Sequence, residues 1–125
     1  MNMTDIREKV KDALMTVSDN VKMTKPSGDV EIPLICYAET ENTSINIAHD
    51  RVKYRVAVYA GSFEDLVEIV KKVDKVMCNV LGFQRTAKSS DENSKIGTDL
   101  YLCRLDYTAT VNLIYNYILR NSITI

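Results

Sequence analysis

The strongest pattern of apolar and polar positions lies between residues 63 and 81, where apolar residues recur at steps of three and four. At 3.6 residues per turn this spacing gives one apolar stripe, with charged and polar residues opposite. Ser62 precedes the stripe and suits an N-cap with Asp65 three residues later, whereas Gly82 follows it and suits a left-handed C-cap. The pattern predicts an amphipathic helix with the stripe Phe63, Leu66, Ile69, Val70, Val73, Met77, Val80 and Leu81.

A strict alternation precedes this helix and predicts a strand. Its two faces are Val52, Tyr54, Val56, Val58 and Ala60 on one side, and Arg51, Lys53 and Arg55 on the other. The apolar face is expected to meet the helix, and the other face begins in water. Residues 51–85 therefore form a strand, a helix and the start of another strand, on which the rest of the chain is expected to pack.

The chain before this unit predicts a first helix, for which Thr4 is a suitable N-cap. Its stripe is Ile6, Val10, Ala13, Leu14 and Val17, with Val21 one turn further. Residues 23–29 follow and contain Pro26 and Gly28, so they predict a loop.

Residues 30–39 are extended and largely apolar, but Pro33 has no N–H to donate to a sheet. This strand therefore lies at an edge or begins after Pro33. The polar residues 40–50 join it to the next strand, and we expect a hairpin with a long, adaptable loop.

Three segments follow the main helix. Residues 83–88 predict a weaker strand, and the polar residues 89–98 predict a mobile loop. Residues 99–111 predict a strong strand, since Tyr101, Cys103, Leu105, Tyr107, Ala109 and Val111 share one face. Residues 112–125 are interpreted as further extended chain, with a short helix as the alternative.

These elements predict an α+β fold, with a mixed or antiparallel sheet of four or more strands and two main helices packed on it. The 125 residues fit a single domain, 1–125, that buries roughly two-thirds of its unfolded surface. A net charge of -1 argues against a nucleic-acid surface built on bulk charge. The chain has neither a run of roughly 20 apolar residues nor a signal peptide, so we expect a soluble protein made in a cytoplasm and no membrane partner.

Few residues suggest chemistry. Cys36, Cys78 and Cys103 are odd in number and lack paired metal-ligand spacing, so unpaired thiols are expected, with Cys78 partly exposed. His49 beside Asp50 has no accompanying nucleophile motif, and an ordinary loop histidine is the favoured interpretation.

Four acidic residues are candidates for an acid–base pair or for the ligands of a hard cation, namely Glu39, Glu41, Asp91 and Glu92. They lie in polar segments without the glycine pattern of a calcium loop, which favours solvated surface.

Gly61 precedes a helix start, where backbone amides can bind phosphate, but phosphate loops need several glycines. No catalytic, cofactor-binding or metal-binding residue is predicted, and the chain is not expected to be an enzyme.

Arg51, Lys53 and Arg55 form a short basic row, and seven tyrosines lie mostly in strands. Basic residues interleaved with aromatic ones are able to bind single-stranded nucleic acid. The tyrosines alternate away from the row, however, which favours a face in contact with solvent or with another subunit.

The order of elements and three phrases, VAVYAGSFEDL, LGFQR and LDYTATV, give the chain a family resemblance. Residues 5–111 resemble the tail terminator, or tail completion, proteins of long-tailed bacteriophages and prophages. The resemblance implies a structural protein that forms a hexameric ring on the last ring of the tail tube, stops polymerisation and presents a surface to neck proteins.

Several further expectations follow from this resemblance. The partners are other copies of the chain, the tail tube protein and a neck or head completion protein, and DNA only passes through the ring. The location is the virion tail at the head–tail junction, after assembly in the bacterial cytoplasm. Two alternatives stay open: a head–tail connector or other neck protein, and a small cytosolic ligand-binding α+β domain.

Overall fold

The computed structural model describes residues 3–23, 31–89, 95–97, 100–112 and 117–119. The helices are α1 (Met3–Met15), α2 (Phe63–Asp74) and a π-helix (Lys75–Leu81) that continues α2. The strands are β1 (Val21–Lys22), β2 (Leu34–Asn46), β3 (His49–Ala60), β4 (Gln84–Ser89), β5 (Lys95–Gly97), β6 (Leu100–Asn112) and β7 (Tyr117–Leu119).

The strands form one mixed sheet, which confirms the predicted α+β class. Its order is β1-β2-β3-β6-β4, and β5 and β7 also pair with β6. β1 runs parallel to β2, and the other pairs are antiparallel. β3 is the central strand, because β2 and β6 hydrogen-bond to its two sides along its whole length.

The main core lies between one face of this sheet, here called the helix face, and the helices. The predicted apolar residues of β3 are all on it and at most 1% exposed. α1 and α2 contribute Ile6, Val10, Leu14, Leu66, Val70 and Val73. Full burial of such side chains stabilises the fold by roughly 1.5–3 kcal/mol each.

The opposite face of the sheet, here called the open face, carries the basic row at one end. A smaller apolar cluster lies at the other end and consists of Leu34, Cys36, Tyr59 and Leu102. The prediction that this face begins in water is correct for the first half of β3, where Arg51, Lys53 and Arg55 are exposed.

Both predicted ends of the main helix are confirmed. The Ser62 side chain accepts a hydrogen bond from the Asp65 N–H at 3.1 Å, and Gly82 closes the helix in the left-handed region at φ 92°. The predicted single α-helix is wrong beyond Asp74, where the π-helix begins.

The π-helix changes which residues of the predicted stripe are buried. Leu66, Val70, Val73 and Met77 are buried as expected. Val80 is 59% exposed, because a turn that closes i to i+5 is wider and rotates later residues away from the stripe. Phe63 is 55% exposed in the first turn, and its ring contacts the Tyr101 ring edge-on, with centroids 6.5 Å apart.

The predicted long loop at residues 40–50 is wrong. β2 continues to Asn46 and β3 starts at His49, so Ile47 and Ala48 alone form the turn. Thr and Ile favour strands, and β3 supplies a ladder of backbone hydrogen bonds that outweighs the polarity of the other side chains. The register shifts between Glu39 and Glu41 and between Ser44 and Asn46 mark irregularities in this hairpin.

Other strand predictions are largely confirmed. β2 begins directly after Pro33, as the missing N–H requires. Residues 83–88 and 99–111 correspond to β4 and β6. The predicted loop at 89–98 is wrong at Ser89 and Lys95–Gly97, which lie in strands. β7 agrees with an extended tail, and the rest of 113–125 lies outside the described residues.

Two details of the N-terminal prediction change. α1 begins at Met3, before the expected cap Thr4. Val21 lies in β1, paired with Ile35, and does not continue α1. The predicted loop at 23–29 lies outside the described residues apart from Met23.

We expect Gly82→Ala to lower the free energy of unfolding by about 1–2 kcal/mol, because a Cβ clashes with the backbone in the left-handed region. Urea unfolding measures this change. Gly82→Asn is the control and should lose less, since asparagine tolerates this conformation. Equal losses for the two variants would contradict the role of the backbone angle.

Candidate functional site

The far end of the β2–β3 hairpin, here called the hairpin arm, comprises residues 42–51. Its β2 side is exposed on both faces, whereas its β3 side is half-buried at its start and is paired with β6. Ile47 at the turn is 99% exposed and Ile45 is 45% exposed. Apolar side chains at the tip of an exposed hairpin are available to a protein partner.

The outer edge of β2 is largely open. β1 pairs with it only at Ile35 and Cys36. In the described part of the chain, no other strand covers this edge of β2, and none covers the outer edge of β4. Unpaired N–H and C=O groups along a strand edge are sites at which another chain can add a strand.

Two members of the predicted basic row face carboxylates. Arg55 donates to both carboxylate oxygens of Asp106, at 2.8 and 3.4 Å. Lys53 lies 3.8 Å from Glu41 on the neighbouring strand. These pairs are exposed and contribute little to stability, but they reduce the positive potential that a nucleic-acid phosphate would meet.

The tyrosines do not join this row. Tyr54 and Tyr107 lie on the helix face and are at most 1% exposed. Tyr59 lies on the open face but is buried in the smaller apolar cluster. The arrangement therefore lacks the exposed aromatic rings that stack bases, among the residues whose side chains are described.

His49 lies at the start of β3 and not in a loop. Its Nδ1 is 3.0 Å from the Asn46 side-chain oxygen, and its Nε2 is 3.4 Å from the Asn112 side-chain nitrogen. The imidazole thus connects the hairpin turn with the end of β6. Its two ring nitrogens face side-chain amide groups, and such contacts hold the turn against β6.

The structure separates Glu39 from Glu41. Two residues this far apart in a regular strand share a face, but Glu39 pairs with Tyr54 on the helix face and Glu41 with Lys53 on the open face. The register shift between them causes this separation. Glu39 accepts a hydrogen bond from Arg7 of α1 at 2.8 Å.

Asp91 and Glu92, the other two acidic candidates, lie outside the described residues. Within the described residues, no group of three histidine, cysteine or acidic side chains is placed to hold a metal ion.

Gly61 borders a groove of about 330 Å3 beside the start of α2. Asp65 and Glu68 also line this groove. Their carboxylates repel anions, so the site does not suit the phosphate that a helix N-terminus otherwise attracts.

A partly buried polar network fixes the end of α2 over the sheet. The Tyr107 hydroxyl of β6 donates to Asp74 Oδ1 at 2.5 Å. Arg85 of β4 donates to the other oxygen of the same carboxylate. Asp74 is the last residue of α2, so the network joins two strands to the helix where its α-helical part ends.

The three cysteines are thiols, as predicted. Cys36 and Cys103 are buried, and Cys78 is half-buried. Burial raises the pKa of the Cys78 thiol, and the nearby Asp74 carboxylate raises it further. A raised pKa disfavours the thiolate, so Cys78 does not have the character of a nucleophile.

Another groove lies on the open face beside β2 and has a volume of about 280 Å3. It is lined by Met23, Cys36, Tyr37, Ala38, Thr40, Arg55, Ala57, Tyr59 and Arg104. Ligand pockets are typically about 300–1,000 Å3 and enclose most of the ligand. This groove is smaller than that range and open to solvent.

The hairpin arm is the feature that the sequence analysis missed. One signal was present, because no glycine or proline occurs between Pro33 and Gly61. A continuous stretch without either residue favours two long strands over a long loop.

The described helices include none that is long and apolar enough to span a bilayer.

We expect the free energy of unfolding to decrease as the pH rises above about 10. Burial, together with the hydrogen bond to Asp74, raises the pKa of Tyr107 above the ordinary 10.0. In this range unfolded tyrosines lose their protons while folded Tyr107 keeps its own, which costs up to about 1.4 kcal/mol of stability per pH unit.

The Tyr107→Phe variant tests this expectation by urea unfolding between about pH 8 and 12. Its stability should fall less steeply with pH, because the titrating hydroxyl is gone. At neutral pH it should be about 1–2 kcal/mol less stable than the wild type, since Asp74 loses a donor. Parallel pH profiles for the two proteins would refute the assignment.

A scan against protein-family models and a search of curated proteins find no match to the chain.

Proposed function

We propose that the chain is a structural phage or prophage protein that caps the tail tube as a hexameric ring of identical chains. In this role it ends polymerisation of the tube and provides the surface for head–tail joining. The role comes from the sequence resemblance over residues 5–111. The exposed surfaces described above support it, because they can make the contacts that such a ring needs.

The observation that carries the proposal is the pair of sheet edges that the described strands leave largely open, which belong to two different strands, β2 and β4. A ring of identical subunits needs head-to-tail contacts, in which two different patches of each subunit meet. A chain with a single self-complementary patch uses that patch on both subunits and forms only a twofold dimer. Two dissimilar edges on opposite sides of one sheet meet the requirement for a ring.

The hairpin arm supports a second contact, with a protein other than the neighbouring copy. It carries Ile47 and Ile45 into solvent. A terminator must bind the tube on one side of the ring and the neck on the other. Exposed apolar side chains at this turn are suited to one of these axial contacts.

The first experiment measures the mass in solution by light scattering over a wide concentration range, with electron microscopy of the same sample. We expect rings of about six subunits, each subunit having a mass of 14.2 kDa. Addition of the protein to polymerising tail tube protein should give shorter tubes with the ring at one end. A chain that stays monomeric with and without tube protein would refute the proposal.

The same assay separates the connector alternative. A head–tail connector would bind portal or adaptor proteins and leave tube length unchanged, whereas a terminator shortens the tubes in proportion to the amount added.

We expect Ile47→Asp to weaken binding to the tube or neck protein at least about tenfold while the fold is unchanged, because Ile47 is 99% exposed. Pull-down and light scattering measure binding, and urea unfolding measures stability. Asn42→Asp is the control, since it adds the same charge to the same arm away from the tip. Equal effects of both substitutions would show that charge, and not the apolar tip, matters.

A further inference from the structure

Two grooves of opposite charge lie beside the helix formed by α2 and the π-helix. The first, here called the acidic groove, lies between the start of β2 and α2. Asp65, Glu68 and Lys72 line it together with Ile32 and Pro33. Lys72 is 4.0 Å from Glu68, so the groove retains one negative charge, and Ile32 is 40% exposed there.

The second groove, here called the basic groove, has a volume of about 490 Å3 and lies between the same helix and β4. Lys71, Lys75 and Arg85 line it, with Asp74. Arg85 is bound to the Asp74 carboxylate, so the exposed ammonium groups of Lys71 and Lys75 leave it positive. Val80, 59% exposed, lies nearby on the π-helix.

One copy of the chain cannot bring its two grooves together. The acidic groove is bounded by the start of β2 and the basic groove by β4, and β3 and β6 lie between these strands. Three strand spacings of about 4.8 Å place the two boundaries roughly 14 Å apart, and the helix stands between them. The grooves therefore open on different sides of the subunit.

We propose that the acidic groove of one copy docks against the basic groove of the next copy. Opposite potentials on two different surfaces favour a head-to-tail contact and disfavour the like-to-like contacts of a twofold dimer. The exposed Ile32 adds apolar area beside the charges of the acidic groove. The inference rests on the proposed function, because it names the contact through which the ring closes.

The test uses charge reversal in the full chain. Glu68→Lys and Lys75→Glu each place like charges in the contact, so each should raise the concentration needed for assembly at least about tenfold. The double variant Glu68→Lys with Lys75→Glu restores opposite charges at these two positions, with the positive one now in the acidic groove and the negative one in the basic groove. We expect it to assemble within about threefold of the wild type, since it recreates the attraction.

Matched controls are Glu8→Lys and Lys11→Glu, two reversals at exposed positions of α1 outside both grooves. They should leave assembly unchanged. Thermal unfolding of every variant checks that the subunit is folded. Wild-type assembly should also weaken as salt increases, because partly exposed charges are screened.

The outcomes separate the two proposals. Rings that form equally well in the wild type and in both single variants would overturn the groove contact and leave the terminator role standing. Failure of the double variant to recover would mean that each groove meets a different partner, and the contact would again be wrong. A wild-type chain that is monomeric with and without tube protein would overturn both proposals.

Discussion

The burial of one face of β3 is the constraint on which the rest of the structure depends. This strand is paired on both sides, and its apolar residues from Val52 to Ala60 are closed off by the helices. The position of α2 follows, because its own stripe has to cover that face. Asp74 then fixes the end of α2 through Tyr107 and Arg85, which brings β4 and β6 into the same arrangement.

The sequence predicts those elements that have one buried and one exposed face, since only they produce a clear period. α2 and β3 are of this kind, and so is β6. The β2 side of the hairpin arm is exposed on both faces, so its composition resembles that of a loop and its strand structure depends on backbone pairing. The π-helix gave no signal either, because residues 75–81 fit the α-helical spacing as well.

The candidate sites show a similar limit, which is set by register. Glu39 and Glu41 are two residues apart, a spacing that puts both on one face of a regular strand, but a shift in strand pairing places them on opposite faces. Arg55 meets Asp106, which is distant in sequence, because β3 and β6 pair in one particular register. Residue types identified the charged positions, whereas the partners of those charges depend on the alignment of strands.

The distance in sequence between β3 and β6 has a consequence for the order of folding. β2 and β3 are joined by a two-residue turn, whereas every β3–β6 pair joins residues at least as distant as Ala60 and Tyr101. Local hairpins form quickly, and pairing across long loops is slow. β4 pairs with β6, so the strand that bounds the basic groove reaches its place only after β6 has docked. A newly made chain thus acquires this surface late, and a partner that binds the surface would meet only chains whose sheet is complete.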